Sequence, residues 1–170
     1  PIDRAHARPL PEPPPGFKWI STLVDFGCTL HLLPFKTIYE EAIPSRVQVR
    51  TANHAHERVH HHGAALLHAF DEWSRPVSVL LSQAHYAPKL SSLLSVHALL
   101  RAKCEVHFTP DKSWVTLPHS KRLPLRRDGN KDYLDFLVPD TSNATTPATH
   151  LDEASYASHI PTKNCVDLFA

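Results

Sequence analysis

Between residues 17 and 139 the apolar residues come mostly in short runs of strand length, and this constrains the chain more than any other feature it carries. Such runs suit strands that bury one face. None approaches the roughly 20 apolar residues that would span a bilayer. Trp19-Ile20 and Leu23-Val24 lead into Gly27, and Val47, Val49 and Thr51 alternate. Ala64–Phe70 and Pro76–Leu81 read as two strands with Asp71-Glu72 as the turn between them; Val106-His107-Phe108, Trp114–Leu117 and Tyr133–Val138 continue the series. One segment departs from it. Ser92–Lys103 places Leu93, Val96, Leu99 and Leu100 at helical spacing behind a Ser cap, with Arg101 and Lys103 near its end. The pattern predicts an all-β fold, a small barrel or sandwich with one short helix.

The flanks read differently. Residues 1–16 contain Pro9, Pro11, Pro13, Pro14 and Pro15, a lead-in that can form neither a sheet ladder nor a helix interior. Residues 140–170 open on Asp140-Thr141-Ser142-Asn143 and are polar and aperiodic as far as Pro161, as a tail or linker would be. The chain starts at Pro1 and has no Met, which reads as a piece excised from a longer polypeptide. No signal peptide is visible. Lys+Arg 18 against Asp+Glu 17 leaves a net charge of +1, so no global field recruits nucleic acid or an anionic membrane, and neither is expected as a partner of this segment. Only 4 Gly are present and no phosphate-cradling motif is formed from them. Cys28, Cys104 and Cys165 are odd in number and far apart, which predicts reduced thiols and an intracellular setting. With no Cys-x-x-Cys pair, a cysteine zinc site is not expected.

The run Val24-Asp25-Phe26-Gly27-Cys28-Thr29-Leu30-His31 is the informative one. An Asp between an apolar strand and a Gly turn presents a carboxylate at a strand end; Gly27 lets the chain turn sharply and Thr29 can bond the turn backbone. Taken alone, Asp-x-Gly is also an ordinary strand-to-turn sequence. The letters Asp-Phe-Gly occur in the metal-binding motif of protein kinases as well, but 170 residues with no Gly-rich loop, strand lysine or His-Arg-Asp loop exclude that fold.

Surrounding order carries a more specific resemblance. Asp25, Gly27, Cys28, Thr29 and His31, with Pro34 soon after, fall in register with the active-site strand W-x-L-D-S-G-A/C-T-x-H of the protease in copia-type retrotransposon Pol polyproteins. Val49-Arg50-Thr51-Ala52-Asn53 resembles that family's next strand and turn. Leu81 through Tyr86-Ala87-Pro88-Lys89-Leu90, then Leu93-Leu94-Ser95-Val96, Leu99 and Cys104-Glu105-Val106-His107-Phe108, follow its later block in order. Gly129-Asn130-Lys131-Asp132-Tyr133-Leu134 is similar to the short piece that precedes integrase there. The resemblance spans roughly 17–138 and implies a retroviral-like protease barrel over 17–117, with 118–139 as a β extension of pre-integrase type.

The resemblance further implies half of a pepsin-like dimer, in which each chain gives one Asp and two chains make a twofold-symmetric site on a polypeptide substrate. Asp25 would be the catalytic residue and Phe26, Gly27, Cys28 and Thr29 its loop. Gly63 would lie in the hairpin, or flap, that covers substrate, and Leu93 and Leu94 would pack under the loop. No cofactor and no metal are implied, and the setting would be the cytoplasm or a virus-like particle. Phe26 departs from the pattern. Relatives carry Ser or Thr there, whose hydroxyl bonds across the dimer; Phe cannot donate, so the dimer is expected to be weak. His60-His61-His62-Gly63 is likewise bulkier than a Gly-rich flap. Two readings therefore stand: an endopeptidase that processes its own Gag-Pol polyprotein, or a catalytically inactive relative used for dimerisation or peptide binding. An unrelated β-barrel binding module is the third.

His54, His56, His60, His61 and His62 form the other conspicuous cluster. At period two, His54/His56 and His60/His62 would share strand faces. The expected role is a solvated polar hairpin, since no closed ligand set for zinc is present. His31 is expected to bond the local backbone, and Cys28 to pack as a small apolar residue rather than act as a nucleophile. Asn143-Ala144-Thr145 is a glycosylation sequon in form only.

Overall fold

The structure, a computed structural model, describes residues 10–141 apart from 37 and 40, together with the backbone of Cys165–Asp167. Within these residues the chain is built almost wholly of strands: β1 Phe17–Asp25, β2 His31–Leu33, β3 Ile43–Pro44, β4 Gln48–Arg50, β5 His56–Arg58, β6 His61–Phe70, β7 Pro76–Tyr86, β8 Leu93–Ser95, then the helix α1 Val96–Arg101, and β9 Glu105–Phe108, β10 Ser113–Thr116, β11 Arg122–Asp128, β12 Lys131–Pro139 and β13 Cys165–Asp167. The all-β expectation holds.

Most strands join one sheet in the order β3-β6-β7-β2-β8-β1-β12-β11-β10-β9, while β4 and β5 form a separate hairpin. A further bridge from β12 to β6, at Leu137 and His68, makes the circuit β6-β7-β2-β8-β1-β12 return on itself. Period-two burial explains why these segments are strands. Ile20, Thr22 and Val24 of β1, Ala65, Leu67 and Ala69 of β6, and Leu134, Phe136 and Val138 of β12 all point to one interior. Phe136, with no exposed surface, is the largest of these side chains.

Two sequence expectations need correcting. The helix begins at Val96 rather than Ser92, because Leu93–Ser95 runs parallel to Leu23–Asp25 as β8 and the cap is Ser95, whose side chain accepts the Ala98 N–H. It ends early as well. Lys103 adopts φ 63°, its N–H donates to Leu100 O and the Cys104 N–H donates to Leu99 O, a Schellman closure without glycine. Residues 118–139 do not hang beyond a finished domain: β12 lies against β1 over the whole of Phe17–Leu23, so the boundary at 117 does not divide the sheet. Gly63 is held in the sheet. It sits in β6 opposite Ala84, at a register shift, and a Cβ there would lie 2.1 Å from the Glu41 carbonyl oxygen. The glycine is required by a backbone crossing rather than by hinge motion.

Of the tail, residues 142–164 lie outside the described residues; Cys165–Asp167 runs parallel to Ser78–Leu80 on the edge of β7. The lead-in is described from Leu10, and Gly16, at φ 80°, completes a turn into β1.

Gly63→Ala should therefore destabilise the fold by about 1–3 kcal/mol, the usual cost of overpacking, as measured by urea unfolding. A change below about 0.5 kcal/mol, within the range of ordinary surface substitutions, would show that the β3–β6 approach is not rigid.

Candidate active site

Asp25 is the last residue of β1, and its position follows from the strands beside it. β1 is held by β12 on one edge and, at its final three residues, by β8 on the other, with Asp25 opposite Ser95. The side chain is half-buried, and its Oδ1 accepts the Gly27 N–H at 2.7 Å. A Cβ at Gly27 would come 3.3 Å from that oxygen, so a side chain there would press on the carboxylate. One carboxylate oxygen is thus fixed by its own loop.

Ser95 holds the loop from below. It is wholly buried; its Oγ donates to Cys28 O at 2.7 Å and accepts from Ala98 N at 3.1 Å, while its own N–H donates to His31 Nδ1 at 3.1 Å. Arg101, at the end of α1, reaches Thr29 O at 3.5 Å. The Cys28 thiol donates to Leu30 O at 2.7 Å, and burial raises its pKa, which disfavours the thiolate. Leu94 is buried beside Val24, and Leu93 is half-buried. Of the residues expected from sequence, Cys28 packs in one cluster with Leu93, while Leu94 belongs to the main core beside Val24.

Phe26 faces outward. It is 58% exposed, and its ring lies 5.2 Å from that of Phe108, itself partly exposed, at 45°. The loop that carries Asp25 therefore also presents an aromatic pair with Phe108.

The hairpin β4–β5 turns through Thr51–Ala55, closed by Thr51 N–H to Ala55 O at 2.9 Å and His54 N–H to Thr51 O at 2.9 Å, with His54 at φ 65°. Between its tip and Lys89-Leu90 lies an open groove of about 430 Å³ lined also by Thr51, Asn53 and Glu57. Hairpin and loop share one apolar cluster: Val49 from the first and Cys28 and Leu30 from the second pack with Leu90 and Leu93 around Leu32, Val59 and Ala87. Hence the hairpin that walls this groove is β4–β5.

The histidines disperse. Arg50 Nη2 donates to His54 Nδ1 at 2.8 Å, His60 and His61 flank the Tyr86 ring, and His62 stacks on His85 at 5.8 Å. Among the described residues no three His, Cys, Asp or Glu side chains are placed to hold a metal. His31, as expected, bonds the backbone. Burial, with His85 and Arg101 nearby, pushes its pKa down to about 4. Sequence reasoning missed Ser95, Arg101, His85 and Phe108 as parts of this site; only Ser95 carried a signal, standing at the boundary between strand alternation and helical spacing.

Compared with known proteins, the chain matches no family model, no curated protein and no solved structure.

An imidazole whose folded pKa lies below its ordinary value of 6.5 binds fewer protons folded than unfolded, so its contribution to stability is present above 6.5 and lost as pH falls towards about 4. His31→Asn keeps an acceptor for the Ser95 N–H but cannot titrate. It should remove up to about 3 kcal/mol of acid-induced destabilisation between those pH values, read as a flatter dependence of urea stability on pH. An unchanged slope would refute the buried imidazole.

Proposed function

We propose that this chain is an aspartic endopeptidase of the copia-retrotransposon type that cleaves polypeptide, its own Gag-Pol polyprotein, as a homodimer. In this reading the closed circuit of strands is a small acid-protease-like barrel, half of a pepsin-like dimer. One observation carries it. Leu23–Asp25, which leads into the Asp-Phe-Gly loop, and Leu93–Ser95, far apart in sequence and each resembling a separate part of the family pattern, lie side by side as parallel strands with Asp25 opposite Ser95. The hairpin, the groove beside Leu90 and the shared apolar cluster support it further.

Chemistry on this reading needs two chains, because each contributes a single motif carboxylate. Two carboxylates held close cannot both ionise cheaply and share a proton. The ionised one takes a proton from water as its oxygen attacks the scissile carbonyl carbon; the protonated one gives its proton to the carbonyl oxygen. Gly27 N–H, by holding Oδ1, leaves the other oxygen of Asp25 to face substrate and the partner.

Phe26 favours a second reading, a catalytically silent relative that dimerises or binds peptide. A Ser or Thr hydroxyl at this position would bond across the twofold axis; an exposed ring resting on Phe108 supplies no donor. Losing such bonds weakens the grip by roughly 1 kcal/mol each, and a misplacement of about 1 Å at the dyad can cost ~100-fold in rate.

Digestion of a peptide library by the chain and its variants tests both readings. On the first, cleavage peaks at acidic to mildly acidic pH and is abolished by Asp25→Asn; cleavage that survives Asp25→Asn refutes the aspartic mechanism. Activity that appears only in Phe26→Ser identifies the silent relative, and silence in every variant leaves binding as the role. Sedimentation across concentration should give reversible self-association with a Kd between micromolar and millimolar, about −8 to −4 kcal/mol. A strict monomer at millimolar concentration would remove the dyad altogether.

A further inference from the structure

Trp19 and Phe70 have no part in the reading above. Both are half-buried, and their ring centroids lie 5.7 Å apart at 51°. Trp19 pairs with Leu137 and Leu137 with His68, so Trp19, His68 and then Phe70 share one face of the sheet. The lead-in lies against this face. Phe17 N–H donates to Pro14 O at 3.0 Å with Pro15 and Gly16 between them and Gly16 at φ 80°, the signature of a type II turn. That turn folds the prolines back along β1. The Trp19 indole Nε1–H then donates to Pro11 O at 2.7 Å.

The chemistry on the two sides is complementary. Ring closure fixes φ at Pro11, Pro13, Pro14 and Pro15, and each proline holds the residue before it extended, so the segment loses few conformations on docking. Proline offers a carbonyl and no N–H; an indole offers a donor and no acceptor. An aromatic wall with one such donor is how extended proline-rich segments are read in general.

We propose that the Trp19–Phe70 face is a receptor site for an extended proline-rich segment, and that Leu10–Pro15 of the same chain is its resident, exchangeable ligand. The occupant is the chain's own because the Pro14–Phe17 turn delivers the Pro11 carbonyl to the indole over a reach of only a few residues.

The indole N–H signal of Trp19 in the full-length chain, followed by two-dimensional NMR, tests this. Gly16→Val strains the turn through its backbone alone, since a Cβ at Gly16 meets nothing within 4 Å. In that variant the Trp19 signal should shift and exchange faster with solvent, while the signal of Trp114, whose Nε1 is buried, should stay in place and report an intact fold. A synthetic peptide of residues 8–16 added to the variant should return the Trp19 signal to its original position saturably; a peptide with Pro11 and Pro13 replaced by Ala should not. Should the Trp114 signal also move in Gly16→Val, the chain carrying Pro11→Ala and Pro13→Ala takes its place under the same readings. A Trp19 signal unmoved by releasing the lead-in, or moved but indifferent to the peptide, overturns the proposal. A signal in the unsubstituted chain that depends on protein concentration overturns its intramolecular form and gives the site to a second copy.

Discussion

A single buried hydroxyl ties together the parts of the molecule that matter most. Ser95 ends β8, begins α1 and underlies the Asp25 loop. Its Oγ both donates to the loop and accepts from the helix, and its N–H fixes His31. A neutral donor–acceptor in a dry position is worth more than its bonds suggest, because removing it orphans the groups it served. The parallel pairing of β1 with β8 brings Ser95 under the loop, and that pairing depends in turn on Leu94 and Val24 being buried together. Packing, capping and loop geometry therefore form one cooperative unit and would be lost together.

Much of the sheet was legible in its apolar residues. Ala64–Phe70, Pro76–Leu81 and Tyr133–Val138 read as strands because they are short apolar runs, and the structure extends each by a few residues. The misses have physical causes. Leu93–Ser95 satisfies strand and helix spacing equally well, and only its edge contact with β1 decides between them. β11 is masked by Pro124 and the pair Arg126-Arg127, whose charges are met across the sheet by Asp135 and Asp132. β13 is a main-chain addition to an open edge, with nothing in the polar tail to announce it. Gly63 carries no local sign of the backbone crossing above it, since the Glu41 carbonyl arrives from a distant turn.

The candidate site divides in the same way. Asp25, Gly27 and the Leu-Leu-Ser segment were visible because their spacing follows a motif. The β4–β5 hairpin was visible as a turn near Thr51–Asn53, whereas the partners of the histidines, Tyr86, His85 and Arg50, could not be read from their spacing. Phe26 was seen as an anomaly, but its contact with Phe108, across the length of the domain in sequence, could not be read from spacing.

The entry and exit of the sheet touch. Asp140 N–H donates to Gly16 O at 2.8 Å, just outside the pairing of Phe17 with Pro139. A unit whose ends meet behaves as a cassette: splicing it into a surface loop of another protein asks the host for little loop-closure entropy, and joining the ends while opening a turn elsewhere leaves the ladders in place.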